Sequence, residues 1–123
     1  MKISVIIPTL NEEFHIEKTL QRVTRQEGDY EVYVVDGGSI DNTVAIAKKY
    51  ACVINSQLGR AIQMNTGAKL CTGDILLFLH ADTLLPDNAF CEIRKRMSDT
   101  TVAGGSFYIA FDADNFILRG VSF

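Results

Sequence analysis

Short runs of branched apolar residues at 2–7, 31–35, 52–54 and 75–79, each followed by a stretch of helical periodicity, most constrain what this chain can fold into. This alternation is the mark of βαβ units laid onto a parallel sheet. The first run, almost unbroken Ile and Val, suits a central strand covered on both faces. A fifth run, 105–111, alternates Phe107, Ile109 and Phe111 with Ser106, Tyr108 and Ala110, and so predicts a half-exposed strand. The apolar tail to Phe123 has no pattern that assigns it.

The intervening segments predict four helices. The first takes a cap from Thr9 or Asn11, carries Glu12 and Glu13 in its first turn and Arg22 and Arg25 in its last, and turns Ile16, Leu20 and Val23 inward. The second runs from 39–41 to 50, with Val44, Ala47 and Ala51 toward the sheet. The third follows Gly59 and presents Ala61, Met64, Ala68 and Cys71 as one stripe. The fourth has Pro86 in its first turn, Phe90, Ile93 and Met97 facing inward, and Arg94, Lys95 and Arg96 gathered where they complement the dipole. His15 reads as a solvated residue. No repeat or linker divides the chain, so residues 1–123 are expected to form one α/β unit.

Composition narrows the function. A chain with 47% hydrophobic and 22% charged residues and only 2 prolines is apolar enough to fold. Its formal charge of −3 has the wrong sign for a nucleic-acid backbone or an anionic bilayer. No stretch approaches the ~20 apolar residues of a membrane span. Cys52, Cys71 and Cys91 are widely spaced and odd in number, which suggests neither a disulfide framework nor a thiolate zinc site; Cys71 and Cys91 read as small core residues. With Pro8 and Asn11-Glu12-Glu13 interrupting any leader core, and no glycosylation sequon, a reducing, cytoplasmic setting is expected.

The polar residues collect where the strands end. In an open parallel sheet ligands bind beyond the carboxyl ends of the strands, where loops diverge and helix N-termini point inward. Those ends carry Thr9 to Glu12, then Asp36-Gly37-Gly38-Ser39, then Asn55-Ser56, then His80-Ala81-Asp82. Asp82 could hold Mg²⁺ or Mn²⁺, which need few protein oxygens when a substrate phosphate supplies the rest; the competing role is a cap on the loop before Pro86. His80 is either a base or metal ligand or a tautomer-fixed hydrogen bonder. Asp36 could accept from a base or ribose, provided that Ser39 and Asp41 cap the second helix and leave it free. Gly59-Arg60 would aim a guanidinium at a phosphate; otherwise Arg60 is a surface residue. The glycines of a dinucleotide-binding turn, a P-loop and a nucleophile elbow are all absent.

Four blocks taken together, Val5-Ile6-Ile7-Pro8-Thr9-Leu10-Asn11-Glu12, Val34-Val35-Asp36-Gly37-Gly38-Ser39-Ile40-Asp41-Asn42-Thr43, Gly59-Arg60-Ala61-Ile62-Gln63-Met64-Asn65-Thr66-Gly67-Ala68 and Phe78-Leu79-His80-Ala81-Asp82-Thr83, resemble the family 2 glycosyltransferases. The last two blocks look most like the arsenosugar-biosynthesis-type branch. The resemblance implies a GT-A, Rossmann-like three-layer sandwich with a mostly parallel sheet, of which this chain is the N-terminal, nucleotide-sugar-binding part, incomplete at the C-terminus. It implies that Thr9, Glu12, Asp36 and Arg60 hold a nucleoside diphosphate. It also places Asp82 at the second acidic position of a D-x-D metal motif whose first position is taken here by His80. The implied reaction is inverting transfer of a sugar from a nucleotide donor, expected to be a UDP-sugar, to an unknown acceptor, with Mg²⁺ or Mn²⁺. No motif assigns the catalytic base, Asp112 and Asp114 included. The competing classes are a GT-A-like nucleotidyltransferase, which would want a glycine-rich basic loop after the first strand, and a non-catalytic nucleotide-binding module. A chain cut at this point is expected to expose the aromatic edge at 105–111 and to self-associate through it.

Overall fold

A computed structural model describes residues 1–98, 107–112 and 115–119. Six strands, β1 (Ile3–Thr9), β2 (Tyr30–Asp36), β3 (Cys52–Asn55), β4 (Ile75–Leu79), β5 (Phe107–Asp112) and β6 (Asn115–Arg119), form a single sheet in the order β3-β2-β1-β4-β5-β6. All neighbouring pairs are parallel except β5 with the antiparallel β6. In register, Ile3 lies beside both Tyr30 and Ile75, and Thr9 lies beside Asp36. The carboxyl ends of β1, β2, β3 and β4 therefore share one edge.

Four helices, α1 (Ile16–Thr24), α2 (Thr43–Ala47), α3 (Arg60–Ala68) and α4 (Ala89–Ser98), cover the two faces. Successive strand side chains point to opposite faces, so β1 is divided between two apolar clusters. Ile3, Val5 and Ile7 join Ile16, Leu20 and Val23 of α1, Ala47 of α2 and Phe90, Ile93 and Met97 of α4. Ile6 faces the other way with Val35, Leu76 and Phe78, against Met64, Ala68 and Cys71 on the side of α3. The unbroken Ile/Val composition of β1 follows from this double burial.

α3 follows Gly59 directly, as expected, whereas α1, α2 and α4 start later than local patterns suggest. Neither Thr9 nor Asn11 caps α1; it begins at Ile16, and His15, at the cap position, makes no capping bond with its side chain. The main chain of 11–13 is held instead by the loop after β2, whose Ser39, Thr43 and Asp41 side chains accept the N–H groups of Asn11, Glu12 and Glu13. Asn11 adopts φ +52, a left-handed conformation that asparagine tolerates and a helix does not. α4 begins at Ala89, so Pro86 lies before it rather than in its first turn.

In α3, Ala61 is exposed, and the helix centres its inward face on Gln63 and Gly67. A Cβ at Gly67 would lie 2.7 Å from Ile6 Cγ2 and 2.9 Å from Val35 Cγ2, so the absence of a side chain is what lets α3 sit this close to β1 and β2. Cys91 is exposed and Cys71 half-buried; burial pushes the Cys71 thiol up to about 11. Arg94 is no mere complement to a helix dipole. It donates to the main-chain oxygens of Met1, Glu27 and Asp29 at 2.9, 2.6 and 2.8 Å.

Among the described residues no helix is long and apolar enough to cross a membrane. The expected exposure of aromatic side chains on the 105–111 strand and in the tail falls outside the described residues. The backbone of β5 is paired on both sides, by β4 and β6, so β5 is not an edge strand.

Candidate functional site

From β1 the chain builds outward through β2 to β3, then returns to place β4 on the other side of β1. Connections that leave β1 and β4 therefore diverge and open a crevice at the carboxyl ends of these two strands. A cleft of about 190 Å³ lies there, between Pro8, Thr9 and Leu10 after β1, Phe78, Leu79 and His80 after β4, and Arg60, Gln63 and Met64 of α3, with Glu12 also on its wall.

Thr9, Asp36 and Gln63 make the cleft floor rigid. Asp36 is 3% exposed, and its carboxylate is saturated: Oδ1 accepts from the hydroxyls of Thr9 and Ser39, and Oδ2 from the N–H groups of Gly38 and Ser39. Burial pushes its pKa up, but the Ser39, Gly38 and Thr9 donors outweigh burial and hold it below the ordinary value, so the group is anionic. The condition that would leave Asp36 free is therefore not met. Asp41 does bond Thr43 at the start of α2, while Ser39 is consumed by Asp36 itself. The turn at Gly38 has φ +110, a conformation few residues other than glycine enter.

Gln63, 4% exposed, donates through Nε2 to the carbonyls of Thr9 and Val35, both at 2.9 Å, and accepts from Gly59 N–H. It ties the ends of β1 and β2 to the first turn of α3. Sequence reasoning assigned no role to Gln63, because a glutamine between two inward positions reads as a solvated residue. The signal that could have found it is its place four residues after Gly59 and four before Gly67.

Two further residues face each other across the cleft. Arg60 Nη2 lies 2.8 Å from His80 Nε2, so α3 and the end of β4 are joined by the two side chains whose roles the sequence left open. Glu12, also on the wall, accepts from His15 Nδ1 through Oε2 at 3.1 Å.

Asp82, two residues beyond His80, is exposed. Among the described residues it forms no hydrogen bond or ion pair. The loop it was expected to cap is closed by main chain instead, Thr83 N–H donating to His80 O. The Ala81 carbonyl beside it is anchored by the Thr19 hydroxyl at 2.6 Å. Among the described residues no three His, Cys, Asp or Glu side chains converge so as to enclose a cation. A single open carboxylate fits Mg²⁺ or Mn²⁺ shared with substrate phosphates and water, and does not fit a cage made by protein alone.

The glycosyl transferase family 2 model matches residues 4–122. This chain belongs to that family. Over 91 residues it is 42% identical to a PGL/p-HBAD biosynthesis glycosyltransferase of Mycobacterium tuberculosis, an alignment covering 67% of this chain and 36% of the relative. Its fold matches the mannosyltransferase PcManGT from Pyrobaculum calidifontis in complex with GDP-Man and Mn²⁺ at a TM-score of 0.72, with 29% identity over 81% of this chain and 33% of that one. It also matches S. aureus TarS 1-349 in complex with UDP at a TM-score of 0.69, with 29% identity over 80% of this chain and 32% of that one. The chain thus spans about a third of the length of these proteins. As a family 2 member it has the GT-A fold, with the switch-point cleft at the carboxyl ends of β1 and β4.

Proposed function

We propose that residues 1–123 are the nucleotide-sugar-binding part of a glycosyltransferase that moves a sugar from a nucleotide donor, a UDP-sugar, to an acceptor hydroxyl by inverting displacement. The observation that carries this reading is the pairing of a cleft-lining guanidinium, Arg60, with the exposed carboxylate of Asp82 two residues beyond the cleft-lining His80; among the described residues no carboxylate neutralises the first and no donor occupies the second. A diphosphate needs the first; a divalent cation on that diphosphate needs the second. The donor and Mn²⁺ in the PcManGT complex and the UDP in the TarS complex support the same assignment.

Each site residue then has a physical task. Thr9 and the Gly37-Gly38-Ser39 turn form the wall for the nucleoside. Asp36 acts on it by holding Thr9 and Ser39 in place, its own lone pairs being filled. Glu12 borders the same wall, its main chain held by Thr43. Arg60 donates to the diphosphate, and Gln63 sets its height above the sheet by fixing the first turn of α3. Mg²⁺ or Mn²⁺ held by Asp82 would neutralise the diphosphate and the charge that grows on it as it leaves. None of the described residues is assigned as the base that takes the acceptor proton.

Calorimetric titration of UDP and GDP, with EDTA or with Mn²⁺, into wild type and Asp82→Ala tests the reading. Binding strengthened by Mn²⁺ in wild type, about tenfold or more as expected for one cation bridging two anionic groups, with the gain lost in Asp82→Ala, is the expected result. Wild-type binding indifferent to Mn²⁺ would instead favour a non-catalytic nucleotide-binding module.

A further inference from the structure

Gln63 lines the cleft, yet it is almost wholly buried and its amide is engaged on three sides. Nε2 meets two carbonyls, Thr9 O at the end of β1 and Val35 O near the end of β2, both at 2.9 Å. Oε1 accepts from Gly59 N–H at 3.3 Å, while the main-chain N–H of Gln63 returns to Gly59 O at 2.8 Å. Both polar groups of the residue just before Arg60 are therefore held by Gln63. Of side chains this long, only a carboxamide offers two donors and an acceptor on one flat group; glutamate would set negative oxygens against both carbonyls, and methionine would bond none. Gly37 completes the seat. Its backbone does not demand glycine, since the left-handed residue of this turn is Gly38. A Cβ at position 37 would lie 3.0 Å from Cδ and Oε1 and 3.1 Å from Nε2 of Gln63, and an amide bonded on three sides has nowhere to retreat. Gly37 N–H also donates, at 3.0 Å, to the Thr9 carbonyl that Gln63 shares. Asp36 already fixes the wall through Thr9 and Ser39. What Gln63 adds is a set distance between that wall and the first residue of α3, which is Arg60.

We propose that Gln63 is a positioning residue that holds Arg60 at a set distance from the nucleoside wall, so that one ligand can span both, and that Gly37 is the seat its amide requires. The inference rests on the nucleotide-sugar reading above and deepens it, because it assigns the alignment of the diphosphate arm to a buried joint between β1, β2 and α3.

The test is equilibrium titration of UDP and GDP, with Mn²⁺, into two sets of variants, each kept well below its melting transition. The first set is wild type, Gln63→Met, Arg60→Ala and the double variant; the second is Gly37→Ala, Gln63→Ala and their double variant. Gln63→Met should weaken binding of the preferred nucleotide about tenfold when Arg60 is present, as a charge-assisted contact loses its alignment, and by less than about twofold once Arg60 is alanine. Gly37→Ala should weaken it about threefold and add no loss to Gln63→Ala, where the amide it strikes has gone. A role in stability alone would lower the melting temperatures without this dependence on Arg60. Gln63→Met that binds as wild type does, or that loses the same factor with and without Arg60, overturns the inference and leaves the nucleotide-sugar reading standing. A Gly37→Ala defect that persists in full beside Gln63→Ala overturns the seat assigned to Gly37. A wild type that binds neither nucleotide overturns the inference and the reading together.

Discussion

Glu31 shows how much a single side chain can hold at the end of the sheet remote from the cleft. Its Oε2 accepts from the Ser4 hydroxyl, from Thr72 N–H at 2.6 Å and from the Thr72 hydroxyl at 3.1 Å, and Lys2 Nζ lies 3.6 Å from Oε1. Burial alone would push its pKa up, but these donors and the lysine charge outweigh burial and lower it from 4.5 to about 2. A carboxylate depressed in the folded state adds stability that is fully present above its unfolded value and is lost as pH falls through the folded one. The contribution of Glu31 is thus expected to fade between pH 4.5 and about 2. Glu31→Gln should be less stable than wild type by about 1–2 kcal/mol near neutral pH, with the difference closing toward pH 2, as read by urea unfolding across that range. Nothing in the sequence pattern singles Glu31 out, because its partners lie 27 and 41 residues away. Residue types at the carboxyl strand ends were more legible. Arg60, His80 and Asp82 stood out because ionisable groups are scarce in the strands, yet the bond between Arg60 and His80 depends on two elements meeting in space.

Among the elements, the strands were readable from local pattern and the helix ends were not. Burial on both faces writes itself into a strand as a continuous apolar run, so β1 and β4 were legible to within a residue or two. A helix start depends on who satisfies its free N–H groups. For α1 that partner is the loop after β2, which no window on residues 9–16 contains. α3 hid its inward face because the two residues at its centre are a glutamine and a glycine. Its seat is also the most sensitive to volume. Gly67→Val would drive methyl groups into Ile6 and Val35, and is expected to cost about 2–3 kcal/mol in urea unfolding and to weaken UDP binding by tilting Arg60 away from the cleft. A variant as stable as wild type would show that α3 is not held by this close approach.

At the scale of the whole molecule, the fold class followed from the βαβ rhythm, and the position of the site followed from topology. The sequence placed polar residues at the strand ends; the strand order then placed the switch point between β1 and β4, which is where the cleft lies. Long-range ties close the opposite end. Arg94 bonds the main chain at Met1, Glu27 and Asp29, and a Cβ at Gly28, where φ is +96, would meet its guanidinium at 2.5 Å. β6 was not foreseen, because residues 115–119 show no alternation and the strand is defined by its antiparallel pairing with β5. Soaking crystals of the chain with UDP and Mn²⁺ and recording Mn anomalous scattering tests the central claim most directly. The account predicts an anomalous peak beside the Asp82 carboxylate with the diphosphate between it and Arg60. A nucleotide bound away from the β1–β4 cleft, or a Mn²⁺ ion that leaves Asp82 untouched, would contradict it.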